Sequence, residues 1–300
     1  MDGFRRLTVG LGRSSADEST IRYAALVSRL YAVEQVCFVH VLPQATAVGP
    51  VSAQADVEAE MRSRVAKEMA GLPAQISVRH AVLEGPLTDQ LLTFVAQSQT
   101  DLLIVGHGSG HSGWRALARR LAMKAPCSVL MVPENAPAHL RHILTPIDFS
   151  EHAADTLRVA VSLARASGAA CTALHVYFNE AVATYEEYDQ VLRGQERQSY
   201  DAFLAPIDTQ GMTVTPLFEE GANIAHAILR TAERDEADLI VMGTRGRSRS
   251  AAILLGSVTE QTIVETRIPL LAVKHFGARM GVMQALLDPR FLYRSGLHTD

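Results

Sequence analysis

The sequence predicts an α/β fold made of two tandem, doubly wound domains, each a parallel five-stranded sheet with helices on both faces. Short apolar runs alternate with amphipathic stretches along the whole chain, the pattern of strand–helix–strand units around a parallel sheet. The pattern also occurs twice. Residues 6–12 (RLTVGLG) are matched by 142–148 (HILTPID), 36–41 by 171–176, 83–85 by 219–221 and 100–106 by 237–243, at an offset of about 136 residues. Lys124-Ala-Pro126 is matched by Arg267-Ile-Pro269 at an offset of about 143. A chain of 300 residues suits two such domains. The expected divisions are 1–136, 137–276 and a tail at 277–300, with the join in the proline-bearing stretch 133–139.

The elements follow in order. In the first half a strand near residue 6 leads to a helix opened by the capping box Ser15-Ala-Asp-Glu18. A second strand carries His40, a long amphipathic helix lies near 53–70, and apolar runs cover 102–106 and 128–132. In the second half a helix starts after Ser150, buries Leu157, Val161 and Ala164 at helical spacing, and stops at Gly168. The run 171–176 forms the next strand and a helix near 182–205 follows. Asn223 is placed to cap a helix over 224–235, and the run 238–242 ends in glycine.

Composition excludes several functions. With 48% hydrophobic and 20% charged residues and a net charge of −4, the chain has no electrostatic footprint for nucleic acid or an anionic membrane. No apolar run approaches the roughly 20 residues that span a bilayer. Cys37, Cys127 and Cys171 sit in strand-like runs without Cys-x-x-Cys spacing, and the first ten residues carry no secretory apolar region, so the expected compartment is the cytoplasm.

The stretch 243–257 (GTRGRSRSAAILLGS) is the strongest functional signal. It reads Gly-x2-Gly-x9-Gly-Ser, directly after a strand and directly before a helix over 258–266. Gly243 and Gly246 let the backbone turn and approach a ligand closely. The N–H groups and positive dipole end at Gly256-Ser257 suit an anion, and the Ser257 hydroxyl is able to cap the helix or donate to a phosphate. A glycine-rich loop with no ligand is the competing reading.

Together these residues resemble the universal stress protein family. The resemblance rests on 144–151 (LTPIDFSE), on His175-Val176, and on the glycine loop running into Val258-Thr-Glu260. It covers about residues 4–275 and is closer in the second half. It implies an adenine-nucleotide alpha hydrolase-like, Rossmann-like fold, and the loop tail implies the ATP-binding branch of the family. On that resemblance Asp148 accepts from a ribose hydroxyl or the adenine amino group, while Pro146 and Ile147 wall the base. Val176 offers its backbone to the adenine edge, and Met242 and Gly243 lie beneath the nucleotide. Gly246, Arg247, Gly256, Ser257, Val258 and Thr259 wrap the phosphates, with Arg245 and Arg249 nearby and Mg²⁺ held mainly through the phosphates. The family also implies a homodimer and a pairing of the two halves through strands near 128–132 and 270–273.

The first half departs from that pattern. Gly12 replaces Asp148, and Gly113-Trp114 stands opposite Gly256-Ser257 in a loop six residues shorter, a bulky indole that is expected to block the place of a phosphate-binding hydroxyl, so this half is expected not to take ATP in the family manner. It is left to assembly or to another ligand. Its Gly108-Ser-Gly110-His-Ser-Gly113 satisfies Gly-x-Gly-x-x-Gly, but a dinucleotide fingerprint belongs in the first strand–helix turn. His40, His175, His107 and His111 are weighed as metal ligands, but they lack the ligand spacing of a metal site and none is assigned. No Gly-x-Ser-x-Gly and no Walker A motif is present, so no catalytic residue is assigned. In the tail, Met283, Leu286 and Leu287 suit a short apolar helical face. The expected function is an ATP-binding stress-response protein with a regulatory or sensing role, a binding module and not a fast enzyme. The alternatives are a slow ATPase or phosphotransferase at the same site, and a protein that binds a partner or small ligand through its first half.

Overall fold

The computed structural model describes residues 3–43, 52–108, 113–177, 185–244 and 255–274. Strand and helix alternate within each half: β1 (Arg6–Leu11), α1 (Ala16–Leu30), β2 (Gln35–Leu42), α2 (Ser52–Glu68), β3 (Ser77–Glu84), α3 (Leu87–Gln97), β4 (Leu102–His107), α4 (Trp114–Lys124) and β5 (Ser128–Pro133) make the first half. The second half repeats it as β6 (His142–Pro146), α5 (Glu151–Ser167), β7 (Ala170–Tyr177), α6 (Tyr185–Leu204), β8 (Val214–Glu220), α7 (Ile224–Arg234), β9 (Leu239–Gly243), α8 (Ser257–Glu265) and β10 (Leu270–Val273). The tail from 277 onward lies outside the described residues.

The strands run β3-β2-β1-β4-β5-β10-β9-β6-β7-β8 in a single ten-stranded sheet. Each half is doubly wound and parallel, as its alternating pattern requires. The halves meet where β5 and β10 pair antiparallel, Leu270 against Met131, Leu271 against Leu130 and Ala272 against Val129. Every residue of both strands is buried, because helices cover both faces there. Lys274 pins the seam: its Nζ donates to the carbonyls of Ala122 (3.2 Å) and Met123 (2.7 Å), at the negative end of α4.

Most helix ends follow the local signals. Ser150 Oγ accepts from the Ala153 N–H at 3.2 Å, Gly168 closes α5 at φ 74°, and Asn223 accepts from the His226 N–H at 3.0 Å. The capping box at Ser15 is corrected. Ser15 is itself helical and makes no side-chain cap, and Glu18 instead pairs with Arg22 on the next turn. Asp17 reaches back to accept the Gly12 N–H at 2.9 Å, so the carboxylate that fastens this turn comes from inside the helix.

Candidate functional site

In an open α/β sheet, ligands bind beyond the carboxyl ends of the strands where the strand order reverses. In the second half that point lies between β6 and β9, and a proline opens it. Alternate residues of β6 direct their backbone groups toward β9, as His142 does when its carbonyl accepts from the Asp238 N–H at 2.9 Å. Pro146 occupies such a position and has no N–H to give. Pairing between β6 and β9 accordingly stops at Leu144 against Ile240, while the equivalent β1–β4 pairing continues to Gly10 against Val105.

The turn after β6 is tightly held. Asp148 Oδ1 accepts from the Ser150 N–H at 3.1 Å and from its hydroxyl at 2.6 Å. Phe149 takes a left-handed φ of 61°, costly for a bulky residue, and is stacked on His175 at 4.2 Å. His175 Nδ1 lies 2.9 Å from the Ile147 carbonyl, which only accepts, so Nδ1 carries the proton. The first half repeats the device: Arg13 has φ 56° and His40 Nδ1 lies 2.8 Å from the Leu11 carbonyl. Both histidines, weighed above as metal ligands, are turn clamps. Beyond Leu174, whose carbonyl accepts from the Ile147 N–H at 2.8 Å, the same alternation turns the Val176 backbone toward the space that β6 has left.

On the other wall, the Gly256 N–H donates to the Thr244 carbonyl at 3.1 Å and the Thr259 hydroxyl donates to the Gly243 carbonyl at 2.9 Å. These bonds tie the start of α8 to the end of β9. Gly256 is the N-cap, so the expected capping role of Ser257 is corrected: Ser257 is the first helical residue. Gly256 has an ordinary φ of −63°, and a Cβ built on it would meet only Thr259 Oγ1 at 3.7 Å and Thr244 O at 3.9 Å. Nothing in the surrounding described residues demands glycine there. A side chain would stand in the cavity instead.

Pro146, Ile147, Asp148, Val176, Met242, Gly243, Gly256, Ser257, Val258 and Thr259 all line one cavity of about 350 Å³. Gly246 and Arg247, with Arg245 and Arg249, lie outside the described residues. Sequence reasoning missed Thr156, Ile224 and Ile228, which line the same cavity. Ile224 is 43% exposed at its mouth, one turn before Ile228 on α7, and that spacing behind the Asn223 cap was the available signal. Among the described residues no cluster of three or more His, Cys, Asp or Glu side chains stands ready for a metal ion.

The first half carries the counterpart. Gly113 is the N-cap of α4 and Trp114 its first residue, the positions of Gly256 and Ser257. The indole does not plug the space, as its bulk suggested. It lies back on His107 with ring centres 4.5 Å apart and leaves a cavity of about 490 Å³. Burial holds the His107 pKa below its usual 6.5, against the opposing pull of Glu134, and burial with Arg62 does the same to His80. Both imidazoles are therefore favoured neutral in the fold. Their contribution to stability is complete above about pH 6.5 and is lost as pH falls below it, where the unfolded chain takes up more protons. Urea midpoints are expected to fall between pH 7 and 5, and to fall less in His107→Gln; equal slopes would refute the assignment.

The family model described as Universal stress protein family matches residues 3–133 and again 139–274. Among curated proteins, "Universal stress protein in QAH/OAS sulfhydrylase 3'region" of Thermus aquaticus is 31% identical over 140 residues, 44% of this chain and 97% of that protein. Universal stress protein MJ0531 of Methanocaldococcus jannaschii is 29% identical over 140 residues, 45% of this chain and 82% of that protein. The crystal structure of a universal stress protein from Archaeoglobus fulgidus DSM 4304 matches with a TM-score of 0.65 at 18% identity, covering 92% of this chain and 98% of that one. At that identity the likeness shows the fold.

Proposed function

The chain belongs to the universal stress protein family, with two copies of its domain, and on that premise we propose that it binds one ATP, in the second half, in a regulatory or sensing role. The observation that carries this is Gly256: a glycine that its described surroundings do not require, at the mouth of a helix, in a cavity bounded by an acid and apolar walls. Its bare backbone fits a phosphate that must come close.

Asp148, oriented by Ser150, accepts from the ribose or the adenine amino group; Val176 offers its backbone to the base edge. Pro146, Ile147, Met242 and Ile228 give the ring its apolar walls. The N–H groups of Ser257, Val258 and Thr259 have no partner within their own helix turn and serve the phosphates, joined by Gly246 and Arg247 from the loop. The Thr259 hydroxyl is already given to Gly243, so its share is the backbone. Mg²⁺ enters as a counterion of the phosphates. Three buried, unpaired cysteines suit a reducing cytoplasm. A homodimer of the chain would use a surface other than β5 and β10, which are joined internally.

Titrating purified full-length protein with ATP in a calorimeter tests the proposal. The expected result is one site per chain, weakened about tenfold by Asp148→Ala, the loss of one charge-assisted hydrogen bond. No binding, or two equal sites, would sink it.

A further inference from the structure

The cavity of the first half has the position of the nucleotide cavity but the opposite chemistry. Gly12 stands where the other half has Asp148, Trp114 where it has Ser257, and Ala116 where it has Thr259. The acid and the two hydroxyls are thus gone, and an indole and a methyl have taken their places. The space itself remains, about 490 Å³, a size suited to a small molecule.

Three features of this cavity ask for an occupant. The Trp114 indole, half-buried and stacked on His107, gives it an aromatic wall continued by Leu117. Leu87 stands 44% exposed at its mouth, one of three large apolar side chains so exposed among the described residues. Another is Ile224, in the same repeat position at the other cavity. Arg120 lines the cavity and makes no ion pair among the described residues, whereas its neighbour Arg119 is held by Glu260 at 3.0 Å.

No carboxylate lines the cavity among the described residues, and the nearby Asp17 is committed to the Gly12 N–H and to Arg64. The charge balance is therefore a single cation among apolar and aromatic walls and the hydroxyl-bearing Ser14 and Thr88. A triphosphate would bring several negative charges to one arginine, with no acid for the ribose. We infer that the first half is a second ligand site, for a planar aromatic molecule bearing one carboxylate: the ring packs against Trp114 and Leu87, and the carboxylate meets Arg120.

Trp114 is the sole tryptophan of the chain, so its emission reports on this cavity alone. Full-length protein is titrated with benzoate and with benzamide, its uncharged counterpart, while indole emission is followed. Benzoate is expected to give a saturable change, with benzamide at least about fivefold weaker through loss of the charged hydrogen bond. Arg120→Gln should weaken benzoate to the level of benzamide, and Leu87→Glu, at the exposed mouth, should weaken both. Asp148→Ala should leave the benzoate titration unchanged, which separates this site from the nucleotide reading. Absence of a saturable response to benzoate, equal binding of the two probes, or displacement of benzoate by ATP would each overturn the inference.

Discussion

Gly256→Trp is expected to lower ATP affinity by more than about 100-fold, a loss of about 2.7 kcal/mol, while the protein stays folded. The substituted residue meets no strained backbone, since φ is −63°, and its Cβ meets no described atom closer than 3.7 Å. The indole instead fills the end of the cavity where phosphates would approach the first turn of α8. An N-cap glycine replaced by a non-capping residue costs at most about 1 kcal/mol. Thermal melting followed by circular dichroism should therefore move only a few degrees while calorimetric binding disappears. Gly256→Ala gives the graded case, a smaller side chain and a smaller loss. Undiminished ATP binding in the tryptophan variant would show that the ligand never approaches this turn.

Leu271→Ala is expected to destabilise the whole chain by about 2–5 kcal/mol, the cost of emptying a well-packed leucine site. Leu271 is 2% exposed and pairs in register with Leu130 across the seam. Its core cluster mixes residues from both halves, Leu7 and Ile104 with Ile143 and Val241. A hole there weakens both halves. Urea unfolding followed by circular dichroism and by Trp114 emission should give coincident transitions, both shifted to lower urea. If the tryptophan transition stayed in place while the other moved, the halves would be separate folding units and this account of the seam would be wrong.

Much of this was legible in the chain because it depends on short-range chemistry. Ser150, Gly168 and Asn223 end their helices as their side chains and backbone freedom dictate. The duplication appears even in features no motif names, such as the left-handed turns at Arg13 and Phe149 and the histidines that clamp them. Residues expected at a ligand from three separate strands came together at one cavity, because the doubly wound order brings the carboxyl ends of those strands side by side.

Where local reading failed, a group had taken a partner that the spacing rules do not name. The Ser15 capping box lost to Asp17, whose carboxylate is drawn to the Gly12 N–H. The clamping role of His40 and His175 was not legible, because the carbonyls they hold belong to another strand and turn. Trp114 looked like a plug because its size is readable and its direction is not; His107 supplies the surface on which it lies back.

The sequence by itself determined the repeat, the alternation of strand and helix, the glycines that leave backbone bare, and the loss of Asp148 and Ser257 equivalents from the first half. Each of these depends on residue type and spacing alone. The tertiary structure decided that Pro146 parts β6 from β9 and that the first half keeps an open cavity of changed chemistry. Those outcomes depend on which backbone groups find partners across the sheet and on where a large side chain comes to rest, and both are settled only when segments far apart in the chain are packed together.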